Sequence, residues 1–261
     1  MARYTIDGVE YPSVTELTGQ LDKSSALMPW AVNNACKYVW DNLPDESTPE
    51  TLNNCLDMAK REYKNVSAEA CDIGSEVHEK IEMYIKHGRD ACGDMRPEVE
   101  HAFLAFLEWE TENVDEWLES EMVVVSEQHG YAGTLDAIVK LKDGHIYCID
   151  FKSSKNFYDG FAMQLSAYIQ ARNAMNGEYA INTLHSVYKA SYEPTNVIRG
   201  GVLRLDKITG QPEWKDYTKV LTQKTVAFNM LVSFYYHWKN RRLKNNMIAK
   251  NVKEFYKSAD K

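Results

Sequence analysis

The sequence predicts an α/β fold, in which helices flank a mixed central sheet and a helical elaboration forms the N-terminal part. The spacing of apolar residues leads to this prediction. It is helical up to about Leu118, strand-like from about Glu119 to Phe151, and helical again from Phe157. With 261 residues, of which 44% are hydrophobic and 26% charged, the chain is long enough to bury a sizeable core.

The first predicted element is a short hairpin followed by the start of a helix. Asp7-Gly8 lies between two short strand-like segments, and this dipeptide is typical of a tight turn. Ser13 and Glu16 then have the spacing of a helix-capping box. Three further helices are expected at residues 49–64, 68–86 and 97–109, with residue 118 as the outer limit of the third.

The central part of the chain is predicted to form the sheet. Three successive strands are expected at residues 122–125, 134–141 and 145–151, with Asp143-Gly144 turning the last two. A helix at 157–175, two strands at 183–188 and 197–205, and a long helix from Tyr217 past Trp238 complete the prediction. We divide the chain into an N-terminal hairpin and helical elaboration (1–66), a core (67–210) and a basic helical segment (211–261) within one compact domain.

Composition excludes several classes of protein. No stretch approaches 18 consecutive apolar residues, so a membrane span is excluded, and the N-terminus lacks the apolar segment of a secretory signal. The five cysteines include no C-x-x-C pair, which argues against a zinc ribbon, an iron–sulfur cluster or a disulfide framework. We therefore expect a cytoplasmic protein with reduced thiols.

Charge is distributed unevenly along the chain. The net charge is −8, but residues 215–261 carry 11 basic and 3 acidic side chains, a balance of +8, which leaves −16 for residues 1–214. A basic run beside aromatic residues can hold a polyanion through phosphate contacts and base stacking. The alternative is a solvated helix whose aromatic face packs inward. The densest basic run consists of Lys239, Arg241, Arg242 and Lys244.

The residues that point to chemistry lie on two neighbouring predicted strands. Asp136 is within one strand, and Asp150-x-Lys152 ends the next. Charges at the ends of buried strands are costly unless they are paired or bind a metal, and carboxylate oxygens suit Mg²⁺ or Mn²⁺. The alternative is a structural ion-pair cluster of Asp136, Asp150 and Lys152.

The connection between these strands tests whether both carboxylates can share a metal. If Asp143-Gly144 were a two-residue loop, Asp136 would face Phe151 and Asp150 would point to the opposite side of the sheet. A shared site therefore predicts a three-residue loop, a β-bulge or a strong local twist between the strands.

Helices on either side of the sheet add further candidates. Gly74 precedes His78 by one turn and Glu82 follows it by one turn, and His78 borders an apolar stripe. The alternative for His78 is a hydrogen-bonded histidine at the rim of the core. After the sheet, Gln164 and Tyr168 lie one turn apart on one helix face.

Taken in order, these residues resemble the RecB-type branch of the PD-(D/E)xK nuclease superfamily, including phage-encoded exonucleases. The resemblance covers about residues 68–188, and the opening segment is similar to the start of phage-encoded members. Its motifs are G-x-x-x-H, G-x-x-D, D-x-K and Q-x-x-x-Y, represented here by Gly74/His78, Gly133/Asp136, Asp150/Lys152 and Gln164/Tyr168.

The resemblance implies a restriction-endonuclease-like core and a role for each matching residue. The metal, Mg²⁺ with Mn²⁺ as a substitute, would be bound by His78, Asp136, Asp150 and the backbone carbonyl of Phe151. Lys152 would assist the attacking water. Further candidates are Gln164, Tyr168, Ser153, Lys155, Arg241 and Arg242 for binding DNA, and Glu121 and Glu82 as outer acids. Some members carry an iron–sulfur cluster on cysteines after the core. No cysteine follows Cys148 here, so no cluster is expected.

The function implied is a metal-dependent DNA exonuclease that hydrolyses phosphodiester bonds, acting in phage recombination or DNA degradation. DNA is the expected partner, with phage recombination or replication proteins as further partners in the host-cell cytoplasm. Two alternatives stay open. One is an endonuclease with the same site, and the other is a non-catalytic nucleic-acid-binding or assembly module on a nuclease fold.

Overall fold

A computed structural model of the chain describes residues 3–45, 47–175, 197 and 199–239. It has the predicted mixed α/β fold. The strands are β1 (Arg3–Ile6), β2 (Val9–Pro12), β3 (Val114–Ser126), β4 (Tyr131–Leu141), β5 (Ile146–Lys152), β6 (Arg199–Leu205) and β7 (Pro212–Asp216). The helices are α1 (Val14–Thr18), α2 (Ser24–Asn42), α3 (Pro49–His87), α4 (Pro97–Asn113), α5 (Asp159–Ala174) and α6 (Leu221–Lys239).

The central sheet has the strand order β3-β4-β5-β6-β7. β5 and β6 are parallel and the other neighbours are antiparallel, so the sheet is mixed. Helices cover both of its faces, as buried apolar strands require. One core lies between the sheet and helices α1, α5 and α6. The other lies between the sheet, α4 and the C-terminal half of α3.

The N-terminal residues belong to the first of these cores. Ser13 accepts the N–H of Glu16 at 2.9 Å, as the predicted cap requires, and the Glu16 carboxylate accepts a hydrogen bond from Tyr235 of α6 at 3.1 Å. Val14 and Leu17 are fully buried. The opening hairpin and α1 are therefore packed into the molecule.

The two helices predicted at 49–64 and 68–86 are one continuous helix, α3, so the prediction of a break was wrong. The residues between them, Asn65, Val66 and Ser67, include neither glycine nor proline, and nothing in them interrupts the backbone hydrogen bonds. The helix begins at the cap formed by Thr48 and ends at Gly88, whose φ is +83°. The proposed boundary between residues 66 and 67 falls inside this helix.

The first strand of the sheet was predicted too short. β3 extends over 13 residues, and α4 ends at Asn113, well before residue 118. Register shifts near Val114 and Trp117 break the alternation of buried and exposed residues, and β3 is an edge strand with a half-exposed first part. The strand predicted at 183–188 lies outside the described residues, and the helix predicted from Tyr217 begins with a 3-10 turn at Thr218–Val220.

The connection between β4 and β5 is a three-residue loop, one of the three alternatives predicted for a shared site. Ala137 pairs with Ile149 and Lys140 with Ile146, so residues 142–144 form the loop. The same register, extended by one pair, brings Asp136 opposite Asp150.

Among the described helices, none combines the length and apolar character that a membrane crossing needs.

Candidate metal centre

Three carboxylates form a row across neighbouring strands of the sheet. In the β3–β4 pairing Ser120 lies opposite Ala137 and Met122 opposite Leu135, which places Glu121 opposite Asp136. The β4–β5 register then places Asp150 on the other side of Asp136. Because strands are about 4.8 Å apart, this register brings three acidic residues side by side, level with the C-terminal end of β5.

Helix α3 delivers His78 to the same row. Its Nδ1 lies 3.5 Å from Oδ1 of Asp136 and 3.7 Å from Oε1 of Glu121. Its Nε2 lies 3.0 Å from the carbonyl oxygen of Phe151. One ligand atom from each of His78, Glu121 and Asp136 falls within 4.8 Å of the others, so these three could hold one metal ion. The Phe151 carbonyl borders the same space.

Asp136 and Asp150 differ in their partners. Oδ2 of Asp136 accepts the backbone N–H of Phe151 at 2.7 Å, which ties the side chain to the neighbouring strand. Asp150 is 1% exposed, and Nζ of Lys152 lies 2.6 Å from its Oδ2. Within the described residues, neither Asp150 oxygen accepts a hydrogen bond of good geometry. A buried carboxylate in this state has unused capacity for a ligand.

The charges in the site depend on one another. Burial alone would lower the pKa of His78, but the Asp136 and Glu121 carboxylates outweigh it and raise that pKa to about 10. Burial raises the pKa of Asp150 to about 6 despite the Lys152 ammonium. Without a metal, one imidazolium and one ammonium therefore offset part of the charge of the three carboxylates, and a divalent cation would add to that compensation.

Lys152 and Glu121 are both held in defined orientations. Burial lowers the pKa of Lys152, but the Asp150 and Asp136 carboxylates more than offset it, so the pKa lies above its ordinary value. Its ammonium lies 5.4 Å from the centre of the Phe161 ring. Glu121 has a φ of +48°, a left-handed conformation that costs about 1–3 kcal/mol outside glycine and is kept where the surroundings enforce it.

Helix α5 packs on the face of the sheet opposite to helix α3, against the strands that carry the three carboxylates. Nε2 of Gln164 donates a hydrogen bond to Oη of Tyr168 at 2.8 Å. The Tyr168 ring lies against the backbone of Gly133, where an added Cβ would come within 2.6 Å of the ring. Glycine is therefore required three residues before Asp136. At Gly74 a Cβ would make an ordinary contact with Ser153 at 3.5 Å, so α3 also passes close to the loop after β5.

The remaining predicted residues are only partly brought together. Ser153 and Lys155 follow β5 directly, with Lys155 exposed. Glu82 is ion-paired with Lys86 on its own helix. Arg241 and Arg242 lie outside the described residues.

The structure also adds residues that the sequence analysis did not single out. Phe161 supports Lys152, and the buried Arg204 donates a hydrogen bond to the Ser154 carbonyl at 3.2 Å. Glu121, expected only as an outer acid, lies nearly as close to His78 as Asp136 does. Its left-handed backbone leaves no trace in the sequence. Phe161 follows Lys152 by nine residues. This spacing predicts a contact only if the path of the connecting loop is known.

Comparison with models of known protein families finds no match, and comparison with curated proteins finds no significant match either.

Proposed function

We propose that the protein is a Mg²⁺-dependent DNA nuclease, acting as an exonuclease on phosphodiester bonds. The observation that carries the proposal is the group of His78, Glu121 and Asp136, whose ligand atoms lie within 4.8 Å of one another, with the Asp150–Lys152 ion pair on the neighbouring strand. The sequence resemblance to RecB-type nucleases supplies DNA as the substrate, and by analogy a 5′-phosphate product. An endonuclease with the same residues is the second candidate.

The residues present fit a divalent cation. Asp150 has two buried oxygens without hydrogen bonds of good geometry, and Asp136, Glu121 and the Phe151 carbonyl add further hard oxygen atoms. Such oxygens suit Mg²⁺ and Mn²⁺, and one imidazole is compatible with Mn²⁺. We expect Asp136, Asp150, His78 and the Phe151 carbonyl to hold the ion, with Glu121 as an additional ligand. When bound, the ion lowers the pKa of water and offsets charge on the phosphate.

The protein's own groups provide orientation and charge. The Lys152 ammonium, fixed by Asp150 and Phe161, can donate hydrogen bonds to the attacking water or to a non-bridging phosphate oxygen. Gln164 is half-buried and can contact the DNA backbone, whereas the buried Tyr168 accepts its hydrogen bond and orients it. Ser153 and Lys155 follow on the adjoining loop, where they can contact neighbouring phosphates.

A purely structural role for the same cluster is less consistent with its arrangement. A buried ion pair stabilises a fold only when its remaining hydrogen-bonding capacity is satisfied. Within the described residues, the Asp150 carboxylate does not meet that condition, and Glu121 is in an unfavourable backbone conformation beside it. Groups kept at a cost to stability are typical of functional sites.

The experiment is a digestion time course with end-labelled linear DNA and closed circular DNA, in Mg²⁺ and in EDTA. We expect loss of linear DNA only, abolished by EDTA and by Asp150→Asn. Glu108→Gln, which removes an exposed acid on α4, is the matched control and should cleave as the wild type does. The order of label release from the two ends gives the polarity.

Two other results would change the conclusion. Cutting of the circle would favour the endonuclease. No cleavage of single- or double-stranded DNA in Mg²⁺ or Mn²⁺, by protein shown to be folded by circular dichroism, would leave the non-catalytic binding module as the better proposal.

A further inference from the structure

Helix α2 and the first half of α3 form a hairpin arm that extends from the two cores. None of the 19 residues of α2 is buried, and it packs chiefly against α3. Residues 61–72 of α3, between the arm and the cores, are exposed or half-exposed on every side. The arm at Leu56 is 22 residues from His78 along α3, roughly 33 Å at the rise of an α-helix.

The exposed side of α2 carries an apolar ridge, and two of its residues, Cys36 and Trp40, also line the groove between α2 and α3. Met28 is 66% exposed, Val32 60% and Trp40 88%, and with Cys36 they occupy every fourth position of α2. We call these four residues the α2 ridge. Leu43 and Leu56 flank it and line an open groove of about 670 Å³ between the two helices. A contiguous apolar surface of this size on a soluble protein marks a contact site.

The charge of the ridge excludes a nucleic acid as its natural occupant. α2 contains one basic and one acidic residue, Lys37 and Asp41, and these form an ion pair with each other. The helix is therefore neutral, whereas binding to phosphates depends on excess positive charge. A chain with net charge −8 repels its own copies in general, and a neutral apolar face is where two copies can meet.

The area is sufficient for a stable pair. The exposed surface of the contributing residues is on the order of 700 Å² per copy, so a contact that covered all of it would bury at most on the order of 1,400 Å² in the pair, within the range of specific interfaces. The contributing residues are Leu27, Met28, Val32, Trp40, Leu43 and Leu56.

We propose that the α2 ridge binds the α2 ridge of a second copy of this chain about a two-fold axis between Val32 and Cys36. Ridges formed by every fourth residue pack at a crossing angle of about 50°. The two-fold axis then brings Met28 of one copy towards Trp40 of the other, a favourable sulfur–aromatic contact. The proposal does not depend on the nuclease function.

A second ridge on α6 competes with this assignment. Val226, Met230, Phe234 and Trp238 also recur every fourth position and are exposed. The described residues end at Lys239, the last residue of α6, so this ridge has described residues on one side only. The α2 ridge has described residues on both sides, apart from Glu46, and is the better-defined surface.

The first test is sedimentation equilibrium of the full chain from 1 to 100 µM. We expect a dimer for the wild type and at least about 30-fold weaker dimerisation for Trp40→Glu, because the change places a charge where the most exposed apolar side chain of the ridge would be buried. Ile208→Glu is the matched control, since Ile208 is 69% exposed in a loop between β6 and β7, and it should leave the dimer intact. Circular dichroism and thermal unfolding would confirm that both variants are folded.

Three results would overturn the proposal. A wild-type chain that stays monomeric at 100 µM would show that the ridge has another occupant. A dimer unaffected by Trp40→Glu would place the interface elsewhere, and one dissociated by Met230→Glu instead would assign it to α6.

A second test uses the cysteines. Cys36 and Cys71 are both exposed, but only Cys36 lies on the α2 ridge near the proposed axis. A short bis-maleimide should therefore link two wild-type chains, and the covalent dimer should be lost in Cys36→Ser and kept in Cys71→Ser. The reverse pattern would contradict the two-fold packing of α2.

Discussion

At the scale of single residues, the site is a cluster of three acids whose charge is partly offset by two protein cations. His78 lies between Glu121 and Asp136, and Lys152 lies beside Asp150. Each cation favours the ionised form of its neighbouring carboxylate. A metal ion would compete with the proton on His78 and with the Lys152 ammonium for these carboxylates. The two cations therefore have separable roles, which pH and mutation can distinguish.

The charge of His78 should make the metal-free protein less stable at high pH. Its pKa is raised from 6.5 to about 10, chiefly by Asp136 against the opposing effect of burial. The folded pKa exceeds the unfolded one, so the stabilisation is complete below pH 6.5 and is lost as the pH rises to about 10. Asp150, with a pKa raised to about 6, titrates below this window.

We expect the urea midpoint in EDTA to fall between pH 6.5 and 10, and His78→Asn to flatten that fall. His87→Asn, at the exposed end of the same helix, should keep the wild-type profile. A wild-type midpoint that does not change over this range would mean that His78 is uncharged in the folded protein.

Asp150 and Lys152 should affect different steps although their charges are in contact. Asp150→Asn removes a ligand and should weaken Mn²⁺ binding at least about 10-fold. Lys152→Met removes a repelling cation and should leave Mn²⁺ affinity equal or higher, while cleavage falls by about 10²–10⁴-fold. Calorimetric titration with Mn²⁺ and single-turnover cleavage measure the two effects. Parallel losses of binding and cleavage in both variants would show that Lys152 only maintains the site's structure.

At the scale of elements, the site depends on close packing of α5 against β4. The Tyr168 ring occupies the space where a side chain at Gly133 would be, and Tyr168 in turn accepts the hydrogen bond from Gln164. The glycine three residues before Asp136 therefore sets the distance between helix and strand. This is a steric requirement, separate from any need for unusual backbone angles.

Replacing Gly133 by alanine should destabilise the protein by about 1–3 kcal/mol, as overpacking of a core does. Gly160→Ala is the control, because a Cβ there meets no atom within 4 Å and alanine favours the helix. Combining Gly133→Ala with Tyr168→Leu should cost less than the sum of the two changes, because the clash is relieved. Urea denaturation of the wild type, the three single variants and the double variant measures these free energies. Strict additivity would show that the ring is not the obstacle.

The same scale shows what could be predicted from the sequence. The geometry of the β4–β5 hairpin could be narrowed from the sequence, because a site shared by Asp136 and Asp150 requires both side chains on one face of the sheet. A three-residue loop was one of the predicted ways to achieve this, and the structure has it. The length of β3 could not be predicted, because its register shifts remove the alternation of apolar and polar residues on which strand prediction depends. The position of Glu121 depends on a left-handed backbone that only tertiary contacts maintain. The continuity of α3 was missed although residues 65–67 contain no glycine or proline to interrupt a helix.

At the scale of the whole molecule, the sheet separates two cores that both contribute to the site. His78 comes from the side of α3 and α4, whereas Gln164 and Tyr168 come from the side of α5 and α6. The carboxylate row lies between these two sets of residues, level with the C-terminal end of β5. Each core therefore holds one part of the site. Because residues 1–214 carry a net charge of −16, the proposed binding of DNA would depend on the basic C-terminal part of the chain.

Replacing Arg241 and Arg242 by glutamine should weaken DNA binding most at low salt. If both contact phosphates, the slope of log affinity against log salt becomes shallower by about 1.8 for duplex DNA. Fluorescence anisotropy from 50 to 300 mM salt, in the Asp150→Asn background to prevent cleavage, measures the slope. Arg61→Gln with Lys64→Gln removes the same charge from the exposed part of α3 and should leave the slope unchanged. Equal losses from both pairs would mean that DNA responds to net charge alone. In that case the C-terminal residues would form no specific path for the DNA backbone.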